Sequence, residues 1–174
     1  PPFAPCKVVT CIHDISYEHL PETYNRRSRF QMKLTIRKTA RNADHVVTPS
    51  EYSREDLIKT YNLSPEKVTM IPLAAPTFYR PVTDESEIIR IRKKYDLGGD
   101  FILGVGSIQP RKILGRLINA YSLLAAKRDD LPPLVLVGKR AWLFEDTVKA
   151  TDLHGVEEKV RFTGYVPDED LPAL

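Results

Sequence analysis

The chain has 174 residues, 42% of them hydrophobic and 28% charged, with a formal net charge of +3. That length fits one ordinary domain or two halves of something larger, and the composition reads as soluble and globular. So mild a charge gives no general argument for nucleic-acid binding, and no nucleic-acid partner is expected.

No apolar run approaches the ~20 residues that a membrane-spanning helix needs. Cys6 and Cys11 match neither a zinc site nor a CxxC motif. Five apart in a strand-like run, they point to opposite faces, so no bridge is expected and a reducing compartment is the simpler reading. The opening PPFAP has neither an initiator Met nor a signal-peptide pattern, and the closing PDEDLPAL begins a helix at Asp168 that stops within two turns. The expectation is an interior piece of a longer protein.

In chain order, residues 7–12 (KVVTCI), 45–48 (HVVT) and 68–71 (VTMI) are short β-branched runs that read as buried strands. Helices are expected over about 22–43 and 51–62, the second introduced by Ser50 and by Ser53 with Asp56 at capping-box spacing. A seam follows, PLAAPTFYRPVTDESE, stiffened by Pro72, Pro76 and Pro81 and without periodicity. The boundary falls near 80–84, which divides the chain into 1–82 and 83–174. Beyond a charged helix (ESEIIRIRKKYDL) comes a second series of strands, 101–106 (FILGVG), 133–138 (PLVLVG) and 159–164 (KVRFTG), separated by helices at about 111–129 and 143–153. Strand–helix alternation with near-continuous apolar strands implies an α/β fold of two Rossmann-like half-domains, with parallel sheets flanked by helices on both faces.

The junction GVGSIQPRKILGRL (104–117) carries the chemistry. Leu114, Leu117, Ile118, Tyr121, Leu124 and Ala125 share one helical face, which places Arg111 and Lys112 at a helix N-terminus after a strand and a glycine turn. An anion is favoured at such an end, and two cations added there oppose the helix dipole unless an anion offsets them. Phosphate fits, with Arg able to bind bidentately and Lys acting as a point charge. The alternative is a pair of solvated residues at a surface turn. There is no G-x-x-x-x-G-K-[ST], and Gly104 and Gly106 lack the third glycine of G-x-G-x-x-G. The next strand ends at Lys139 with no acidic ribose ligand, which argues against a nicotinamide site.

Taken together, VVTCIHD (8–14), ADHVVTPSEYSREDLIKTY (43–61), KVTMIPLAAP (67–76), ILGVGSIQPRK (102–112), LVLVGKRAW (134–142) and EEKVRFTGYVPDEDLPAL (157–174) resemble, in order and spacing, the retaining GT-B glycosyltransferases of family four. In that family two Rossmann-like domains face each other across a cleft. The resemblance implies that 1–82 is the last part of the acceptor-side domain plus linker, and 83–174 the first half of the nucleotide-sugar domain. Arg111 and Lys112 match positions that contact the donor diphosphate, beside Gly106 and Ser107. They would neutralise the leaving nucleoside diphosphate, electrostatic work that other transferases assign to a metal. No DxD sequence occurs, and no metal or other cofactor is expected beyond the nucleotide-sugar donor substrate. Gly138 with Lys139, and Tyr165 with Val166, follow the next two strands, where ligands collect in open α/β sheets, and would approach the nucleoside. For Tyr165 a ring packed in a turn is the rival reading.

His13 matches the family's cleft histidine, with a sugar hydroxyl or acceptor deprotonation as its roles. Asp14 orients His13, binds acceptor hydroxyls or caps the following turn. Ile113 departs from the Asn or Gly usual after the lysine, and Ser107 stands where many members have Arg. The chain also stops before the segment with two glutamates eight positions apart that contacts the donor sugar, so the piece alone is expected to be inactive.

Helix 22–43 bears Arg26, Arg27, Arg29, Lys33, Arg37, Lys38 and Arg41 with no acid between Glu22 and Asp44. Met32, Ile36 and Ala43 share the core arc, whereas Phe30 and Leu34 fall in the basic arc. Contact with an anionic membrane through Arg26, Arg27, Phe30 and Lys33 is one reading. A solvated face with Phe30 and Leu34 tucked under a loop is the other. The resemblance implies a hexosyltransferase acting on a sugar, lipid-linked or polysaccharide acceptor; a cytoplasmic location is expected, at the inner membrane face if the basic helix contacts lipid. The rivals are a non-catalytic nucleotide- or phosphate-binding α/β module, and a structural half of each domain without function until joined to the rest.

Overall fold

A computed structural model describes residues 5–141 and 143–174; the expectations drawn on the first four residues and on Trp142 lie outside them. The chain forms two compact units, Pro1–Ala75 and Pro76–Leu174, which divide within the proline-bearing seam.

In unit 1, β1 (Val9–Cys11), β2 (His45–Thr48) and β3 (Val68–Met70) form a parallel sheet in that order. The register sets Val9 against His45 and Val46 against Val68. The crossover expected as one helix over 22–43 is broken. A short α1 (Ser16–His19) and a 3₁₀ turn (Pro21–Thr23) precede α2 (Arg26–Asn42). Pro21 opens the tight turn, and the Asn25 side chain accepts the amide of Arg27, which starts α2 afresh. In α3 (Glu51–Tyr61) the cap is Ser50, whose hydroxyl accepts the amide of Ser53. Ser53 therefore lies inside the helix, and Asp56 is taken by His19 at 2.8 and 3.0 Å instead of closing a capping box. The core packs Ile12, Ile15, Tyr17, Ala40, Val46, Leu57, Tyr61 and Val68.

Unit 2 opens with α4 (Glu85–Lys94), capped by Asp84, and continues as β4 (Ile102–Val105), α5 (Leu114–Ala125), β5 (Leu134–Val137), α6 (Phe144–Leu153) and β6 (Val160–Gly164). Its parallel sheet runs β4-β5-β6. Alternation along β5 makes two cores: Leu134 and Leu136 join Ile118, Tyr121 and Ala150 under α5 and α6, while Val135 and Val137 join Leu97 and Val166 on the other face. The expectation of strands buried on both faces is met by central β5 and fails at the edges, where Val9 of β1 and Val105 of β4 are 64% and 60% exposed. The helix expected at Asp168 is instead a run of turns and a 3₁₀ turn (Leu171–Ala173) containing Pro172. Asp170 holds it, bonded by Lys94 Nζ and the Tyr95 hydroxyl at 2.6 Å each, and these donors keep its carboxyl below the usual aspartate range. Cys6 and Cys11 are free and exposed. Among the described residues no helix is long and apolar enough to cross a membrane.

Candidate functional site

Each strand of the second sheet is followed or closed by a glycine: Gly106, Gly138 and Gly164. The segments beyond these strands do not fan apart. The amide of Gly106 donates to Val137 O, that of Gly138 to Gly164 O, that of Ile108 to Lys139 O and that of Ala141 to Ile108 O, all between 2.8 and 3.0 Å. Backbone pairing thus continues past the sheet and lays 106–108 beside 138–141. The approach is so close that a Cβ on Gly138, at φ +156°, would lie 2.0 Å from Gly106 O. Only glycine fits there.

The Gln109 side chain donates to Ser107 Oγ at 2.7 Å, and the chain then enters a 3₁₀ turn, Pro110–Lys112. Arg111 and Lys112 therefore precede α5 instead of forming its first turn, which corrects the helix start expected at 111. The cause is Ile113, left-handed at φ 49° and ψ 32°, which reverses the chain before Leu114. For a β-branched residue that conformation is an outlier costing about 1–2 kcal/mol. Asn and Gly, the usual residues after the lysine in the family resembled, adopt it readily, so the departure at Ile113 has a backbone meaning. Lys112 folds back so that its Cδ and Cε lie 4.0 and 3.9 Å from a Cβ built on Gly106. Gly106, Ser107, Lys112 and Gly138 are thereby brought together. Arg111, Lys112 and Lys139 are exposed, and no ion pair among the described residues engages them.

On the third strand's side, Tyr165 is 67% exposed, so its ring is not packed in a turn. The Val166 side chain is buried in the core, which leaves only its backbone for a ligand. Two neighbours escaped the sequence reading. Arg140, bridged to Ile108 and with its guanidinium 5.3 Å over the Phe144 ring, adds a cation to the stitched segments. Its signal was its place directly after Gly138 and Lys139. Tyr79, in the apparently featureless seam, lies near Asp168; desolvation first, then the Asp168 charge, pushes its hydroxyl up from the ordinary tyrosine range. Nothing in its local sequence marks it.

In unit 1, Ile12 extends the β1–β2 ladder by donating to Val47 O, and His13 emerges exposed just beyond. Asp14 Oδ1 accepts the Ser16 amide at 3.0 Å and also the Ser16 hydroxyl, which meets the Tyr24 hydroxyl at 2.6 Å. Asp14 thus holds the turn that leads into α1. His13 and Asp14 border a pocket of about 260 Å³ with Thr10, Cys11, Thr35 and Thr39. On α2, Arg26, Arg27 and Phe30 are exposed, whereas Lys33 turns inward to Glu18 at 2.5 Å. Phe30 and Leu34 lie in the open and are not tucked under a loop.

Residues 85–174 match the family model of the glycosyl transferases group 1, and residues 3–77 that of glycosyltransferase family 4. The chain belongs to the glycosyl transferases group 1. O-antigen chain mannosyltransferase B of Escherichia coli is 31% identical over 169 residues, covering 97% of this chain and 44% of the relative. Mannosylfructose-phosphate synthase of Agrobacterium fabrum is 30% identical over 161 residues, 87% of this chain and 34% of the relative. Anabaena HepE, solved in complex with UDP-glucose, superposes with a TM-score of 0.70 at 22% identity, over 96% of this chain and 43% of that one. The fold is thus that of GT-B glycosyltransferases, and the chain spans less than half the length of these relatives.

Proposed function

We propose that the protein transfers a hexose, mannose by the names of its relatives, from a nucleoside-diphosphate donor to a glycan or lipid-linked acceptor with retention at the anomeric carbon. In the reaction the bond from that carbon to the diphosphate oxygen breaks and a bond to an acceptor hydroxyl oxygen forms. The hydroxyl proton is lost, and the nucleoside diphosphate leaves with the electron pair. What supports this reading is the junction of Gly106, Gly138 and Lys112, where backbone meets backbone and a lysine folds across the glycine. Gly106 itself, with nothing nearer its missing Cβ than the Lys112 stem at 3.9 Å, leaves room for an anion close to the main chain. Lys112 and Arg111 offset the charge gathering on the departing diphosphate, with no metal required. Ser107 and the Gly106 backbone bound the phosphates; Gly138, Lys139, Tyr165 and the Val166 backbone face the nucleoside. His13 serves the sugar or acceptor hydroxyl, and Asp14 holds the turn that carries it.

The test uses the full-length protein, challenged with a panel of nucleotide sugars, with nucleoside diphosphate release and product anomer followed by NMR. A GDP- or UDP-hexose should be turned over with retained configuration, and Lys112→Ala should lower kcat by roughly a hundredfold or more. Tight nucleotide binding without turnover would instead establish the non-catalytic binding module. Full turnover in Lys112→Ala would remove the diphosphate assignment.

A further inference from the structure

Four residues make α1, and a single helical turn has no stability of its own in water. Yet each of its side chains is fastened to a partner outside it. Ser16 meets the Tyr24 hydroxyl, Tyr17 the Tyr61 hydroxyl at 2.6 Å, Glu18 the Lys33 ammonium at 2.5 Å, and His19 the Asp56 carboxylate. The backbone is held as well, since Arg29 Nε donates to Tyr17 O at 2.8 Å. Arg29 and Lys33 belong to α2, Asp56 and Tyr61 to α3. The centre of this clasp is polar where apolar rings would pack. Tyr17 and Tyr61 are 2% and 1% exposed, within the core of unit 1. Tyr61 directs its one proton to Glu18 Oε1 at 3.4 Å, so Tyr17 must donate to Tyr61. A directed chain results, Tyr17 to Tyr61 to Glu18, and Lys33 takes the second oxygen of the same carboxylate. Desolvation foremost raises both phenols above the ordinary tyrosine range, so both protons stay in place at neutral pH. Phenylalanines would fill the same space, whereas buried hydroxyls add direction at a desolvation cost.

His13 stands just ahead of α1. Ile12 and Ile15, both in the core, bracket it, and the Asp14 carboxylate joins its turn to Ser16. The His13 pocket also takes Thr35 and Thr39 from α2, the helix to which Glu18 and the Tyr17 carbonyl are tied. The tethers thus fix the histidine turn against the helix that lines the same pocket. We infer that Tyr17, Tyr61 and Glu18 are positioning residues that hold His13 in register with α2 for transfer, an inference that rests on the His13 role proposed above. Misplacing a reacting group by about an ångström costs up to about a hundredfold in rate, so tethers remote from the chemistry carry weight.

The experiment uses the full-length protein and the nucleotide sugar that it turns over. Tyr61→Phe should lower kcat about tenfold and leave the donor KM unchanged, because the groups assigned to the donor lie in unit 2. It also leaves the Tyr17 hydroxyl buried without an acceptor, so melting should fall by several degrees. Tyr17→Phe with Tyr61→Phe removes both hydroxyls and should recover most of that loss in melting, but not kcat. A merely structural pair would behave otherwise, with kcat restored along with stability, and that result overturns the inference. The His13 imidazole signal in NMR, assigned by its absence in His13→Ala, reports position without turnover. It should shift or broaden in both tyrosine variants, and an unmoved signal also overturns the inference. Normal turnover in His13→Ala would remove the role of His13 and the inference with it. An inactive His13→Ala beside a fully active Tyr61→Phe defeats the inference alone.

Discussion

The two sheets present their carboxyl ends in opposite ways. In unit 2 the proposed working surface is main chain: glycines at 106, 138 and 164, stitched by amide–carbonyl pairs, with the Lys112 stem folded back towards Gly106. In unit 1 it is side chain: His13 beyond β1, the Asp14 turn beneath it and threonine hydroxyls from α2 around the pocket. A main-chain surface constrains sequence by what must be absent, a Cβ. A side-chain surface constrains it by what must be present. Substitutions should therefore fail differently, through folding at the glycines of unit 2 and through chemistry at His13 of unit 1.

The sharpest way to break that contrast is Gly138→Ala. Its methyl would meet the Gly106 carbonyl, so both strand ends must part, and a loss of about 4 kcal/mol or more in denaturant unfolding is expected. Next is His13→Ala, which removes an exposed side chain. Stability should change by less than about 0.5 kcal/mol while turnover by the full-length protein falls at least a hundredfold; unfolding of this variant would make His13 structural and erase the contrast. Third, Asp170→Asn tests what holds the last turn of unit 2. A carboxyl held below its ordinary range adds stability above about pH 4 that is lost as pH falls through its folded value. The variant should melt several degrees lower at neutral pH, and the gap should close on acidification. A constant gap from neutral pH down to pH 2 would contradict the ion pair. The smallest effect sharpens the main-chain side: Ile113→Asn should raise stability by about 1 kcal/mol, since Asn accepts the left-handed conformation that Ile resists.

The β-branched runs announced all six strands, because parallel strands under helices need little else. Helix starts were harder to read. Arg111 and Lys112 looked helical because the apolar stripe beginning at Leu114 extrapolates backward smoothly, and no periodicity reveals that Ile113 inverts its φ. Asn25 and Pro21 do signal the break before α2, but the unbroken basic run hides it. Edge exposure at Val9 and Val105 was illegible for another reason: the same valine serves a central or a lateral strand, and pairing order decides which. At the candidate site, Gly106 and Gly138 were visible as strand-ending glycines, yet their mutual approach is tertiary. Tyr79 was hidden because the Asp168 charge that acts on it lies far along the chain.

The hydrogen-bonded pairing that runs past β4 and β5 has a kinetic corollary. Amides of Ile108, Gly138 and Ala141, though they sit in connecting segments, should trade their hydrogens for deuterium as slowly as those within the strands. A donor bound as proposed would then meet a surface already frozen into shape, with little entropy left to surrender.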